Sequence, residues 1–337
     1  MRSYIEKVIQ QQDLTSDEMQ DASRQLFSPE TDERQKAAFL SALQTKGEAV
    51  SELTGLAKEM KAHAIQLPKE LAGVMDNCGT GGDGSQSFNI STTSAFVLAG
   101  AGVKVAKHGN RSISSKTGSA DVLEALGVHL SATPKDMMQL LEDNHIAFLF
   151  AQQVHPAMKH VMPVRKALGI PTIFNLIGPL TNPAALTTQL MGVYREDKLE
   201  AIAQVLKNLG RERAVVVHGS GGLDEASLSG PSQCILLADG KLESFELTPE
   251  AVGLNRVDNE ELKGGDAKEN AAILTAVLEG KKGPHRDVVL LNAGLGLLAS
   301  GKAATPEEGV QLAAASIDSG AALERLNNLR AYKKEAV

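Results

Sequence analysis

The amino-acid sequence predicts an α/β protein in two parts, a small all-helical N-terminal domain and a large α/β domain with a mostly parallel central sheet. Three observations carry this. Residues 1–66 show helical spacing of apolar residues with no β-type alternation, short apolar runs alternate with helical patterns from Gly73 onward, and several of those runs lead into glycine-rich loops. Alternation of that kind is the sequence form of βα units on a parallel sheet. Loops at the carboxyl ends of such strands are where open α/β sheets hold ligands.

In the first part, Ile5, Val8 and Ile9 share one helical face. Thr15 and Glu18 have capping-box spacing, and Met19, Ala22 and Leu26 follow at helical intervals until Ser28-Pro29 breaks the run. Ala37, Leu40 and Leu43 continue the pattern, and Val50, Leu53, Ala57, Met60 and Ala64 predict a long helix that Pro68 ends. The helical domain is therefore expected at 1–68. Strands are expected at Val74-Met75 and over 103–106, 146–150, 190–194, 214–218 and 234–237. Ser119 precedes a helix with Asp121 in its first turn and Gly127 as its stop, and Thr133-Pro134 supplies a cap and a first-turn proline. Pro156 and Pro163 bracket a segment that should kink or restart at Pro163. The stretch 164–185, with Pro171, Pro179 and Pro183, reads as an insert that packs back onto the N-terminal helices, leaving 69–163 and 186–337 for the α/β domain. The tail after about 305 is helical, with Leu312, Ala315, Ile317 and Leu323 expected to face the body.

With 337 residues, 42% hydrophobic and 22% charged, the chain can bury a full core. A net charge of -7 and 3% aromatics without tryptophan argue against a nucleic-acid footprint and against attraction to an anionic membrane. Cys78 and Cys234 lie far apart without metal-ligand spacing, which suits inert thiols in a reducing compartment. Met1-Arg2-Ser3-Tyr4-Ile5-Glu6-Lys7 lacks the apolar stretch of a signal peptide, so the expected location is the cytoplasm.

Three glycine-bearing loops could carry chemistry. The first is Asp76-Asn77-Cys78-Gly79-Thr80-Gly81-Gly82-Asp83-Gly84-Ser85-Gln86-Ser87-Phe88-Asn89-Ile90-Ser91-Thr92, between a short strand and the apolar run Ala95-Phe96-Val97-Leu98. Glycines let consecutive backbone N–H groups converge on an anion, and Ser91 or Thr92 could cap the helix whose N-terminus adds to that site. Such a turn is also a common structural device, and it fits neither dinucleotide nor P-loop spacing. The second is Lys107-His108-Gly109-Asn110-Arg111-Ser112-Ile113-Ser114-Ser115-Lys116-Thr117-Gly118-Ser119. Lys107, Arg111 and Lys116 offer positive charge and Ser114, Ser115 and Ser119 offer hydroxyl donors, although a polar surface loop has the same composition. The third, Val217-His218-Gly219-Ser220-Gly221-Gly222-Leu223-Asp224-Glu225, ends in adjacent carboxylates, which suit Mg²⁺ shared with substrate phosphates. Asp83 could reach a ribose hydroxyl or a metal-bound water. His108 and His155 have no nucleophile arranged around them and read as wall residues. Arg165 could lie at the surface or clamp a carboxylate.

Together with Phe174-Asn175-Leu176, Gly178-Pro179-Leu180-Thr181-Asn182-Pro183 and the run from Gly118 to Gly127, these segments resemble the anthranilate phosphoribosyltransferase family over nearly the whole chain. The resemblance implies transfer of phosphoribosyl from phosphoribosyl pyrophosphate (PRPP) to anthranilate with Mg²⁺, in a homodimer built through the small domains. It assigns PRPP to Gly79, Gly82, Asp83, Ser87, Asn89, Ile90, Ser91, Thr92, Lys107, His108, Gly109, Asn110, Arg111, Ser112, Ile113, Ser114, Ser115 and Ser119. It assigns anthranilate to Gly79, Asn110 and Arg165, and Mg²⁺ to Ser91, Asp224 and Glu225. Gln152 and Pro171 stand where many members carry proline and arginine, which puts the shape of the acceptor wall in question. A pyrimidine-nucleoside phosphorylase of similar architecture would carry a loop like His-Thr-Gly-Gly-Thr-Leu-Asp where this chain has Lys116-Thr117-Gly118-Ser119-Ala120-Asp121-Val122. A non-catalytic nucleotide-binding relative would not need the acid pair.

Overall fold

A computed structural model describes residues 1–111 and 116–332. The expectations placed on Ser112, Ile113, Ser114 and Ser115 lie outside the described residues. Four helices open the chain, α1 (Arg2–Ile9), α2 (Ser16–Phe27), α3 (Glu33–Lys46) and α4 (Val50–Ala62). The capping box of α2 forms as its spacing predicts: Glu18 N–H donates to Thr15 Oγ1 at 3.2 Å and Thr15 N–H to the Glu18 carboxylate at 2.8 Å. There follow β1 (Val74–Asp76), α5 (Ile90–Gly100), β2 (Lys104–Gly109), α6 (Ser119–Ala125), α7 (Pro134–Asp143), β3 (Ile146–Phe150) and α8 (Ala151–Val154). Then come α9 (Met162–Leu168), α10 (Phe174–Ile177), β4 (Thr188–Gly192), α11 (Leu199–Asn208), β5 (Arg213–His218), β6 (Ser232–Ala238) and β7 (Lys241–Leu247). The last helices are α12 (Ala267–Leu278), α13 (Pro284–Ala299), α14 (Pro306–Asp318) and α15 (Ala321–Ala331).

The strands form one 7-stranded sheet in the order β3-β2-β1-β4-β5-β6-β7. The first five in that row are parallel, and β6 and β7 are antiparallel to their neighbours. The chain builds outward from β1 to β2 and β3, then returns to lay β4 on the other side of β1. That reversal makes a switch point between β1 and β4, the place where open α/β sheets bind ligands at the carboxyl ends of their strands.

Each face of the sheet packs a different core, because successive strand residues point to opposite sides. In β5, Val215 and Val217 join the cluster formed with α5 and α12 to α15, while Ala214 and Val216 join the cluster formed with α1 to α4 and α11. Leu190 and Met191 of β4 divide in the same way. Val161, Val164, Ile173, Phe174, Leu176, Ile177 and Leu180 all belong to the cluster of the N-terminal helices.

Some expectations shift. The fourth strand runs from Thr188 to Gly192, earlier than 190–194. The hairpin strand β7 was not expected; its Lys241, Glu243 and Glu246 make a charged edge, and the turn before it holds Asp239 and Gly240 at φ 50° and 71°. The helix after the first loop starts at Ile90 behind Asn89, so Ser91 and Thr92 lie inside its first turn and do not cap it. Ser119 likewise lies in its helix rather than before it, and the Asp121 carboxylate takes the Gly118 N–H at 2.9 Å. Pro163 sits in the first turn of α9, where its missing N–H costs nothing, so the chain restarts there. In α14 the buried face is Val310, Ala313 and Ile317, and Leu323 of α15 packs on the same core, so Ile317 and Leu323 face the body as expected while Leu312 and Ala315 face outward.

Candidate active site

The three glycine loops converge at the switch point. The loop after β1 crosses the end of β4, where Thr80 N–H donates to Gly192 O at 3.0 Å and Tyr194 N–H to Thr80 Oγ1 at 3.2 Å. It then meets the segment after β5, where Gly81 N–H donates to Asp224 Oδ2 at 2.6 Å. Gly81 and Gly82 hold φ of 68° and 80°, a left-handed pair that only glycine adopts without strain and that turns the intervening N–H groups inward. The contact leaves no room for side chains: a Cβ on Gly79 would come within 2.3 Å of Asp224 Oδ2, and one on Gly192 within 1.5 Å of Asp224 O.

The acid pair sits in an unusual field. Asp224 is buried and lies against Asp83, and burial followed by that second carboxylate pushes its pKa up to about 7. Glu225 is also pushed well above its ordinary value by burial and then by Asp224; the Ser91 hydroxyl and Lys107 oppose the shift. Lys107, buried at the end of β2, donates to Asn77 O at 3.3 Å and Ser91 Oγ at 3.4 Å. Buried carboxylates whose charged forms Lys107 only partly offsets are a site that a hard cation would suit. Among the described residues no three His, Cys, Asp or Glu side chains converge as a metal cage. Mg²⁺ takes one or two carboxylates and completes its shell with water and phosphate oxygens. Asp224, Glu225 and Ser91 fit that ion.

The remaining candidates divide between this cluster and its rim. Asn89 donates to Thr117 O at 3.2 Å, tying the first loop to the second. Ser87 Oγ accepts from Ser85 Oγ at 3.1 Å, while Asp83 Oδ1 accepts from Ser85 N–H at 3.1 Å. The Ile90 side chain lies in the core, so only its backbone faces the loop. The Thr92 hydroxyl is buried without a partner among the described residues. Gly109 ends β2, paired with Phe150 of β3, and Ser119 Oγ donates to Asn110 O at 3.2 Å. Arg111 turns toward α6, with bonds of 2.9 Å to Asp121 and 2.6 Å to Glu124, and Lys116 is exposed. Arg165 lies over the Phe174 ring at 5.1 Å and has no carboxylate partner among the described residues.

His108 and His155 meet edge to face at 5.2 Å. Thr181 Oγ1 donates to Gly178 O at 2.9 Å, so its oxygen accepts from His155 Nε2–H at 3.4 Å. His108 Nδ1–H donates to the same carbonyl at 3.2 Å. Burial holds both rings neutral, pushing His108 down to about 3 and His155 down to about 4.

Sequence reasoning missed the asparagines that brace the loops. Asn292, alone in the apolar run of α13, holds the segment after the acid pair by accepting from Ala226 N–H at 2.8 Å and donating to Ala226 O at 2.9 Å. Asn270 of α12 donates to Asn89 Oδ1 at 3.0 Å. Asn182 donates to the buried Asp76 carboxylate at 2.9 Å and to Ala106 O at 2.8 Å. A lone Asn amid Val288-Val289-Leu290-Leu291 and Leu295 was the available signal, since buried amides need partners.

Comparison with known proteins agrees over the whole chain. The helical bundle domain of a glycosyl transferase family matches residues 2–64 and the a/b domain of the glycosyl transferase family matches residues 71–323. An anthranilate phosphoribosyltransferase from Exiguobacterium sibiricum is 57% identical over 335 residues, 99% of this chain and 99% of that one. The crystal structure of anthranilate phosphoribosyltransferase from Thermus thermophilus superposes with a TM-score of 0.92 at 43% identity, covering 97% of this chain and 98% of that one. The enzyme of the same name from Saccharomyces cerevisiae, in complex with PRPP and Mg, superposes with a TM-score of 0.88 at 30% identity over 97% and 96% of the two chains.

Proposed function

The chain belongs to the anthranilate phosphoribosyltransferase family, and from that premise we propose how its residues divide the reaction. It transfers the phosphoribosyl group of PRPP to the amine of anthranilate, giving N-(5-phosphoribosyl)anthranilate and pyrophosphate, a step of tryptophan biosynthesis. The observation that carries the residue assignment is the closure of the first glycine loop on Asp224 beside Lys107.

PRPP lies along that loop, against Gly79, Gly82 and Asp83 and the polar groups of Ser87, Asn89, Ser91 and Thr92, while the Thr80 and Gly81 N–H groups hold the loop to Gly192 and Asp224. Lys107 and the stretch from His108 through Ser115 to Ser119 complete its cradle. Mg²⁺ on Asp224, Glu225 and Ser91 would stabilise negative charge on the departing pyrophosphate. Asn110, Arg165 and the Gly79 backbone hold anthranilate. The amine attacks the anomeric carbon as the bond to pyrophosphate breaks. An arylamine is uncharged at neutral pH, so attack needs no strong base, and the protein contributes positioning and a water-poor cleft. The neutral His108 and His155 suit the wall of such a cleft.

The segment 164–185 completes the helical domain, a reading supported by its shared apolar cluster with α1 to α4. A homodimer through the helical domains is the assembly the family resemblance implies. No helix of the described residues is long and apolar enough to cross a membrane. The acidic net charge favours small-molecule partners over nucleic acid.

The test is loss of anthranilate fluorescence on mixing protein, PRPP and Mg²⁺. Turnover is expected, and its absence would leave a different acceptor. Asp224→Asn combined with Glu225→Gln should abolish the Mg²⁺-dependent part of the rate; an unaltered Mg²⁺ response would sink the metal assignment.

A further inference from the structure

We infer that Gln152 is a positioning residue for the acceptor, acting by fixing which end of the Asn110 amide faces it; this rests on the reading of Asn110 as an anthranilate contact. Asn110 follows the last residue of β2, and Gln152 lies just past the paired end of β3, so the register Gly109 to Phe150 brings the two side chains together. The Asn110 side-chain atom 2.8 Å from Arg111 N must be the carbonyl oxygen, because a backbone N–H can only donate. Gln152 Nε2 donates to the same oxygen at 3.3 Å. An amide oxygen has two lone pairs, and both are now used.

The Asn110 NH₂ has no partner among the described residues. Toward a ligand Asn110 is therefore a donor only. It can bond a carboxylate oxygen of the acceptor, and it cannot accept from the arylamine, whose lone pair and N–H groups are left for the reaction. Arg165, a second group with donors and no acceptor, has the same preference. Without Gln152 one lone pair of the Asn110 oxygen is free, and the amide can turn away from Arg111 N–H to bond water or the amine. Gln152 is exposed and makes no other bond among the described residues, so its removal leaves packing intact.

The experiment is steady-state kinetics of Gln152→Leu, Asn110→Ala and the double variant, with melting temperatures as a check on folding. Gln152→Leu should raise KM for anthranilate roughly three- to ten-fold, the worth of one hydrogen bond, with kcat unchanged. In the Asn110→Ala background the same substitution should have no further effect, since Gln152 acts through Asn110. If Asn110→Ala raises KM for anthranilate while Gln152→Leu does not, or if the two effects add, this inference fails and the acceptor site stands. If Asn110→Ala leaves that KM untouched, the acceptor site itself is wrong.

Discussion

Gly192 determines where Asp224 can sit. A methyl group there would overlap the backbone carbonyl of Asp224 at 1.5 Å, and a backbone obstacle cannot rotate out of the way as a side chain can. Gly192→Ala should therefore displace the acid pair, lowering the denaturation free energy by about 1–3 kcal/mol, the usual penalty of overpacking. The rate should fall on the order of a hundred-fold, because catalysis tolerates little misplacement of the groups that hold the substrate. A rate within a factor of two of the parent would mean that the position of Asp224 is unimportant. The residues of the site that were legible in the sequence are those with an unmistakable chemical type: the glycines of the first loop, Lys107, and the adjacent Asp224 and Glu225. Gly192, Asn270 and Asn292 were not legible, because their roles depend on which segment crosses them in three dimensions. Arg111 was legible as a charge, yet its partners, Asp121 and Glu124, lie in the helix that follows.

At the scale of the element, local rules were reliable where the partners are close in sequence. The box at Thr15 with Glu18 and the cap at Thr133 both form, the latter completed as a box by Asp136, since each closes within one turn. Thr15→Ala should cost about 1 kcal/mol of stability by leaving the Glu18 N–H without its cap, with both Michaelis constants unaltered. Thr15→Ser should keep most of that stability; an unshifted denaturation midpoint for Thr15→Ala would show that the cap contributes nothing. The hairpin of β6 and β7 escaped notice for the opposite reason. Its β7 strand is an edge whose charged residues hide the apolar pattern, and its signal was the Asp239-Gly240 turn. The exposure of Leu312 and Ala315 in α14 was similarly out of reach, because the choice of buried face is made by the helices packed against it.

Across the whole molecule, the helical part and the sheet are joined by ties that flank a pair of buried histidines. Lys36 donates to His160 O at 3.0 Å from α3, and Lys198 pairs with Glu48 at 3.1 Å, so both the linker after β3 and the start of α11 are tied to the N-terminal helices. Between these ties His155 of the linker packs on His108 of β2, with the Gly178 carbonyl, the Thr181 hydroxyl and Lys107 around them. The Asp76 carboxylate is near too, but it accepts from the His108 backbone N–H at 3.2 Å, and burial first of all holds both rings neutral in the fold. In the unfolded chain each would bind a proton below about 6.5. From there down to about 4 the unfolded state binds more protons than the folded one, so stability falls as pH falls. Each histidine can steepen that loss by up to about 1.4 kcal/mol per pH unit. The buried Asp76 works in the opposite sense, its raised carboxyl giving stability at acid pH that is lost as pH rises through its folded value. The two senses are separated by substitution: His108→Asn keeps a donor for Gly178 O and removes one titrating group. Its melting temperature should be lower than the parent's at pH 7.5, yet fall less steeply between pH 6.5 and pH 4.5. Parallel curves for the two proteins would show that His108 contributes nothing to acid unfolding and that the loss originates in other groups.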